Sequence, residues 1–208
     1  MERTVFTIGH SVHPLEEFIA LLKGHGINAL CDVRSKPYSR VNPQFNREQF
    51  KSSLSECGIA YVFLGNELGA RSEDRTCYIR GKIQYDLLAR TALFQKGLDR
   101  VCKGIVDYRL ALMCAEADPL ECHRAILIAR YLETRNISVQ HILADGRLEQ
   151  HREALSRLLM QLHIPEQDMF RSSEEATEEA YRVQGERIAY QRDNIISGNG
   201  KPNRSAPR

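Results

Sequence analysis

The chain has 208 residues, of which 42% are hydrophobic and 27% are charged, and its formal net charge at pH 7 is +2. These values are typical of one globular domain, and so small a net charge does not by itself indicate non-specific nucleic-acid binding. No stretch approaches the roughly 18 apolar residues that a membrane-spanning helix needs. Without a signal-peptide pattern, we expect a cytoplasmic protein whose six cysteines are mostly reduced.

Strand-like and helical patterns alternate along the chain. In chain order the predicted elements are a strand at 3–8, a helix at 13–23, a strand at 27–33, a loop at 34–45, a helix at 46–57, a strand at 59–64, a loop at 65–81, a helix at 85–103, a strand at 108–113, a helix at 119–135, a strand at 138–143 and a helix at 148–162. This alternation predicts an α/β fold, a single three-layer Rossmann-like domain with a mostly parallel sheet of about five strands. The domain is expected to span 1–192, and the polar segment 193–208 is expected to be a disordered tail.

The most informative segment, 112–124, lies where the fourth predicted strand gives way to a helix. An aspartate and a proline at 118–119 favour a helix start at that point. We therefore expect Cys114 and Glu116 at the carboxyl end of the strand. The first turns of the helix are then expected to carry Cys122, His123 and Arg124.

Polar residues follow every predicted strand. They are Gly9, His10 and Ser11; Asp32 and Arg34; Gly65, Asn66 and Glu67; Cys114 and Glu116; and Asp145 and Gly146. The carboxyl ends of parallel strands lie at one edge of a sheet, where open α/β sheets bind ligands. We therefore expect one cleft to contain His10, Asp32, Arg34, Glu67, Cys114, Glu116 and His123.

Four motifs occur in a fixed order along the chain. They are Thr7-Ile8-Gly9-His10-Ser11; Asp32-Val33-Arg34 with Pro37, Ser39 and Arg40; Leu64-Gly65-Asn66-Glu67-Leu68-Gly69; and Cys114-Ala115-Glu116 with Cys122-His123-Arg124. Together, over residues 4–190, they resemble the family catalogued as domain of unknown function 488. The resemblance implies a compact α/β fold with a site at these motifs, and it implies no reaction. Where the family's loop often has Leu-Gly-Gly, this chain has Ala70 in the last position.

Cys114 and Cys122 have three alternative roles. They are buried packing residues, reactive thiols activated by a helix N-terminus and an imidazole, or metal ligands together with His10 or His123. The chain lacks a Cys-x-x-Cys pair, so we assign no metal ligand from the sequence. Neighbouring helical residues point to different faces, so Cys122 and His123 need not share one site.

The charged residues have structural alternatives as well. Asp32 and Arg34 point to the same side of a strand and could form an ion pair instead of taking part in catalysis. Arg124 could bind a phosphate or pair with Glu121 one turn earlier.

The first functional hypothesis is an enzyme that cleaves or transfers a glycosidic bond in a nucleotide or nucleic-acid-derived substrate. Its candidate catalytic residues are His10, Asp32, Glu67, Cys114 and Glu116. Its candidate substrate-binding residues are Ser11, Arg34, Ser39, Arg40, Cys122, His123 and Arg124. The expected partner is a phosphate-bearing small molecule or a nucleic acid, held by arginines and aromatic residues.

Two other hypotheses belong to different classes. One is a thiol-dependent or Cys/His metal-dependent enzyme, and the other is a non-catalytic nucleotide or nucleic-acid binding module. Gly9-His10-Ser11 matches neither the dinucleotide-binding nor the P-loop glycine pattern, so we do not expect NAD or ATP to be used. The sequence assigns no other cofactor and no oligomeric state.

Overall fold

The computed structural model describes residues 3–167 and 171–192. Its eight strands are β1 (Thr4–Gly9), β2 (Ala29–Asp32), β3 (Ala60–Phe63), β4 (Tyr78–Ile79), β5 (Lys82–Ile83), β6 (Leu110–Cys114), β7 (Ser138–Ile142) and β8 (Leu148–Gln150). Six of them form one sheet in the order β3-β2-β6-β1-β7-β8. The predicted tail at 193–208 lies outside the described residues.

The five predicted strands pair in parallel, as the alternation of strands and helices required. β1 lies between β6 and β7, and β2 lies between β6 and β3. The sixth strand, β8, is antiparallel to β7 and was not predicted; it occupies the start of the helix predicted at 148–162, which begins instead at His151. All five residues of β6 are buried, as expected for a strand covered on both faces. The mostly parallel α/β architecture is therefore confirmed.

Helices cover both faces of the sheet. The α-helices are α1 (Leu15–Gly24), α2 (Arg47–Glu56), α3 (Gly65–Leu68), α4 (Tyr85–Ala89), α5 (Ala92–Asp107), α6 (Arg130–Glu133), α7 (His151–Gln161) and α8 (Ser173–Ile188). One core forms where α1 and α2 bury Phe18, Phe50 and Leu54. A second core contains Phe94, Leu98 and Val101 of α5. The result is three layers, and none of the described helices is long and apolar enough to cross a membrane.

Other segments differ from the predicted elements as well. The polar loop at 65–81 contains α3, and the hairpin of β4 and β5 begins at its end. The predicted helix at 85–103 is two helices, because the Thr91 hydroxyl accepts a hydrogen bond from Phe94 N and starts α5 afresh. The unpredicted α8 begins with a reciprocal capping box between Ser172 and Glu175.

The predicted helix at 119–135 is also interrupted. Asp118 caps only a short 3₁₀ turn, Pro119–Glu121. Cys122 then adopts an extended conformation, with φ −139° and ψ 142°. The chain continues as a π-helix, Arg124–Ala129, before α6. Short π-helical segments of this kind are rare overall, but those that occur are often found at functional sites.

Candidate functional site

The carboxyl ends of the central strands meet at one edge of the sheet, as expected. Gly9 of β1 is in register with Cys114 of β6. The pairing continues beyond the strands, since His10 N donates to Cys114 O at 2.9 Å and Ser11 N donates to Ala115 O at 2.8 Å. The segment after Cys114 is therefore held against the end of β1.

Arg124 fixes the same segment from the other side. Its side chain is fully buried, and its guanidinium donates to Glu116 O at 2.7 Å and to Ala117 O at 2.9 Å. The alternative pairing of Arg124 with Glu121 is not observed. The Glu121 carboxylate instead lies 3.9 Å from the Arg187 guanidinium. Because its guanidinium already donates to two carbonyl groups, Arg124 is poorly placed to bind a phosphate.

The thiols of Cys114 and Cys122 lie close to the imidazole of His123. Cys114 Sγ and Cys122 Sγ each lie 3.7 Å from His123 Nδ1. His123 Nε2 lies 3.2 Å from the Val33 carbonyl oxygen, which can only accept, so Nε2 carries a hydrogen. Nδ1 is thereby turned towards both sulfur atoms, and all three side chains are buried.

The expectation that Cys122 and His123 need not share one site rested on a continuous helix. Because Cys122 is extended and the helical residues begin only after it, consecutive side chains are not separated by the helical rotation. The Cys122 sulfur even accepts a hydrogen bond from Arg124 N at 3.4 Å, at the start of the π-helix. The break in the helix brings the two residues together.

The electrostatics favour an anionic sulfur at Cys122. Burial raises the pKa of this thiol, but the hydrogen bond with Cys114 and the charges of Arg124 and His123 outweigh burial and hold the pKa well below its usual value. The same hydrogen bond, together with burial, raises the pKa of Cys114. Burial lowers the pKa of His123, and the neighbouring Cys122 more than reverses that, so the pKa is raised. The group is therefore suited to carry a thiolate.

A cleft of about 360 Å³ opens onto this group. Cys114, Cys122 and His123 all line it. Glu116 stands at its exposed side, where burial by the walls and then the nearby Cys122 sulfur raise the pKa of its carboxyl group. The cleft therefore combines two sulfur atoms, an imidazole and an acid with a raised pKa.

Arg34 also lines the cleft, but most of its donors are occupied. It donates from Nε and Nη2 to Asp32, at 3.0 and 2.7 Å, and from Nη2 to Phe45 O. Its Nη1 lies 3.2 Å from His10 Nε2, and burial together with the Arg34 charge lowers the pKa of His10 to about 4. Asp32 is fully buried and also accepts from Tyr61 at 2.8 Å. These contacts favour the structural ion pair over a catalytic role for Asp32.

The other predicted site residues lie apart from the thiol group. Glu67 pairs with Arg100 and lines a neighbouring cleft. Ser11 forms a turn with a positive φ of 46°. The Ser39 hydroxyl accepts from two backbone amides of its own loop, and Arg40 is exposed and does not line the cleft.

Tyr85 and Tyr190 are among the cleft residues that were not identified from the sequence. Tyr85 of α4 is near both sulfur atoms and lines the cleft, and Tyr190 reaches it from just beyond α8. The Tyr190 carbonyl oxygen accepts a hydrogen bond from Ile83 N at 3.0 Å, and the Ser172-to-Glu175 capping pattern could have revealed the helix that precedes Tyr190. Ala70 lines the same cleft and does not adopt a positive φ, so a β-carbon is accommodated where relatives often have glycine.

Comparison with known proteins identifies the family of the chain but indicates no activity. A family model described as "Domain of unknown function DUF488" matches residues 14–132, which is more than half of the chain. The matched stretch contains the Cys114–His123 segment, whereas the motif at 7–11 lies before it. No curated protein and no solved structure matches the chain.

Proposed function

We propose that this chain, which belongs to the DUF488 family, is an enzyme acting on a phosphate-bearing, nucleotide-like small molecule through Cys114, Cys122 and His123. One observation carries the proposal: two sulfur atoms lie 3.7 Å from one imidazole nitrogen in the wall of a cleft. Buried cysteines that only fill space need neither a histidine turned towards them nor access to a cleft. Glu116, with its raised pKa, is suited to proton transfer beside them.

Sulfur chemistry has more support than the carboxylate chemistry expected for glycosidic bonds. That chemistry uses two carboxyl groups flanking the scissile bond. Asp32 is saturated by Arg34 and Tyr61, and Glu67 pairs with Arg100. Glu116 alone of the three predicted acids lines the cleft beside the cysteines.

The substrate class follows from the outer wall of the cleft. Lys36, Tyr38, Arg71 and Tyr190 line this wall, and the Arg71 guanidinium lies 4.7 Å from the centre of the Tyr190 ring. Exposed cations suit a phosphate, and tyrosine faces suit a planar base. A volume of about 360 Å³ lies in the range of small-molecule sites, which favours a nucleotide over a long nucleic acid. The six free cysteines are consistent with a reducing compartment, so we propose a cytoplasmic location.

Ligand binding tests the substrate class. A nucleoside monophosphate and the matching uncharged nucleoside are titrated into the protein by calorimetry. We expect the monophosphate to bind at least about tenfold more tightly, and Arg71→Ala to remove that preference. Arg75→Ala is the matched control, because Arg75 is an exposed arginine of the same loop that does not line the cleft. Equal binding of both ligands, unchanged by Arg71→Ala, contradicts the proposal.

Turnover tests the reactive group separately. The bound nucleotides are incubated with the protein, and mass spectrometry follows their products. We expect Cys122→Ser to abolish turnover while leaving monophosphate affinity within about twofold, since the cations that line the outer wall are Lys36 and Arg71 and remain in place. Binding without turnover in the unmodified protein would instead indicate a non-catalytic nucleotide-binding module.

A further inference from the structure

We infer that Cys114, Cys122 and His123 bind one Zn²⁺-like cation, with a fourth coordination position open to the cleft. The inference rests on the proposed function, because the same three residues form its reactive centre. Their ligand atoms all lie within 4.8 Å of one another. Of the three roles that the sequence left open for the cysteines, it selects metal ligation, and it selects His123 over His10 as the nitrogen ligand.

The distances are those of a tetrahedral site. Zinc binds sulfur at about 2.3 Å and imidazole nitrogen at about 2.0–2.1 Å. At a tetrahedral angle these bonds place nitrogen and sulfur about 3.6 Å apart. His123 Nδ1 lies 3.7 Å from Cys114 Sγ and 3.7 Å from Cys122 Sγ. Both nitrogen–sulfur distances therefore already match those around a bound cation, and the two sulfur atoms lie within 4.8 Å of each other.

The orientation of His123 is also that of a metal ligand. Its Nε2 lies 3.2 Å from the Val33 carbonyl oxygen, which fixes the ring and leaves Nδ1 as the ligand atom. Metal-bound histidines commonly donate their second ring N–H to a carbonyl or carboxylate in this way. In a catalytic pair the imidazole serves one thiol, whereas here Nδ1 is equidistant from two.

A cation would offset the charge of the two buried sulfur ligands. As metal ligands, Cys114 and Cys122 are thiolates, and both are buried. Fully buried Arg124 supplies one positive charge beside them, and its guanidinium hydrogen-bonds backbone carbonyl groups instead of a carboxylate. Because buried charges are paired or coordinate a metal, a divalent cation supplies the compensation that Arg124 alone does not.

The donor set selects the type of cation. Two sulfur atoms and one nitrogen suit zinc and disfavour magnesium and calcium, which prefer oxygen. Three protein ligands with an accessible fourth position are typical of catalytic rather than structural zinc. The three residues line the cleft, so the fourth position faces the space where a substrate or a water would lie. Zinc there would supply Lewis-acid activation beside Glu116.

Metal content and cobalt spectroscopy test the inference. Metal per chain is measured in purified protein, and Co²⁺ is then titrated into chelator-treated protein. We expect close to one zinc per chain and, with Co²⁺, visible bands of a tetrahedral site together with a sulfur-to-cobalt charge-transfer band. Cys114→Ser and Cys122→Ser should each lower zinc affinity at least about tenfold. Cys57→Ser is the matched control, because Cys57 is a free cysteine at the end of α2, outside the group.

The outcomes separate this inference from the proposed function. Co²⁺ spectra of unmodified protein do not depend on any variant folding, so absence of the charge-transfer band overturns the metal site. Zinc content that is equal in the Cys122→Ser and Cys57→Ser proteins overturns it as well. If the charge-transfer band is absent but the unmodified protein turns over a nucleotide and Cys122→Ser does not, the metal site fails and the proposed enzyme stands.

Discussion

Gly9 is in direct backbone contact with Glu116: a β-carbon at position 9 would lie 1.8 Å from the Glu116 carbonyl oxygen. No side chain fits there unless the backbone moves. The contact presses the end of β1 against the segment that runs from Cys114 to Cys122. The glycine of the 7–11 motif is therefore required by close packing at the site.

Gly9→Ala should destabilise the protein by about 1–3 kcal/mol or more, because the added methyl group meets rigid backbone. Urea denaturation followed by circular dichroism measures the change. Gly24→Ala is the control, since a β-carbon at this helical position meets nothing within 4 Å. Alanine there should leave stability unchanged or raise it by up to about 1 kcal/mol. Equal effects of the two substitutions would show that the contact with Glu116 is unimportant.

The chain contains the same Asp-x-Arg ion pair in two environments. Asp32 and Arg34 are buried, whereas Asp145 and Arg147 are exposed, and in both pairs the arginine Nε donates to the aspartate. Removing one partner of a buried pair leaves an uncompensated charge. Asp32→Ala should therefore cost about 3–5 kcal/mol. Asp145→Ala should change the urea midpoint by no more than the error of the measurement. A mild effect of Asp32→Ala would return Asp32 to the list of catalytic candidates.

The sheet could be predicted from the sequence because its signals are local. The strand β6, for instance, is a short apolar run, and a strand covered on both faces needs no other pattern. Once strands and helices alternate, the parallel order places Gly9 and Cys114 at the same edge. The position of Cys114 in the cleft was predictable for this reason.

The convergence of Cys122 and His123 was not predictable, because it depends on a break in a helix. Asp118 and Pro119 predict a helix start, and they do start a helical turn, but it ends after Glu121. The break is stabilised by hydrogen bonds from Arg124 to carbonyl groups that precede the turn. Such contacts follow from the tertiary fold and have no periodic signature. The positions of Tyr85 and Tyr190 in the cleft likewise follow from tertiary packing, because both residues lie on elements remote in sequence from Cys114 and Cys122.

A buried chain of hydrogen bonds links Thr7, His141, His151 and Tyr181, with successive distances of 2.7, 3.0 and 2.8 Å. Burial, followed by the neighbouring His151 charge, lowers the pKa of His141, and burial lowers the pKa of His151 to about 4. Both rings are therefore neutral in the folded protein near pH 7.

This chain predicts a loss of stability in acid. Unfolded histidines take up protons as the pH falls through about 6.5, whereas the folded His151 ring resists protonation until about pH 4 and the pKa of the folded His141 ring is lowered as well. The unfolded state binds more protons in this window, so the free energy of unfolding should fall by up to about 1.4 kcal/mol per pH unit for each ring. Urea titrations from pH 7.5 to 4.5 measure the slope. His151→Gln should reduce it, whereas His163→Gln, at an exposed site, should not.

Alkylation of metal-free protein tests the electrostatics of the two site cysteines. The thiolate is the reactive form, and the hydrogen bond and positive charges near Cys122 keep its pKa low while the pKa of Cys114 is raised. Iodoacetamide should therefore modify Cys122 faster than Cys114, although burial keeps Cys122 slower than an open surface thiol. Burial raises the pKa of Cys31 to about 12, so Cys31 should react slowest. Peptide mass spectrometry after timed quenching gives each rate in one sample.

Arg124 provides the decisive comparison for that experiment. Arg124→Met removes the buried positive charge, whereas Arg124→Lys retains it with fewer donors for the Glu116 and Ala117 carbonyl groups. Each unit by which the Cys122 pKa rises towards or above the assay pH lowers the thiolate fraction by up to about tenfold. Labelling of Cys122 at pH 6 should therefore slow in Arg124→Met more than in Arg124→Lys, with Cys57 as the internal standard in both. Faster labelling of Cys122 in Arg124→Met would mean that Arg124 protects the thiol by packing, and that its charge does not sustain the thiolate.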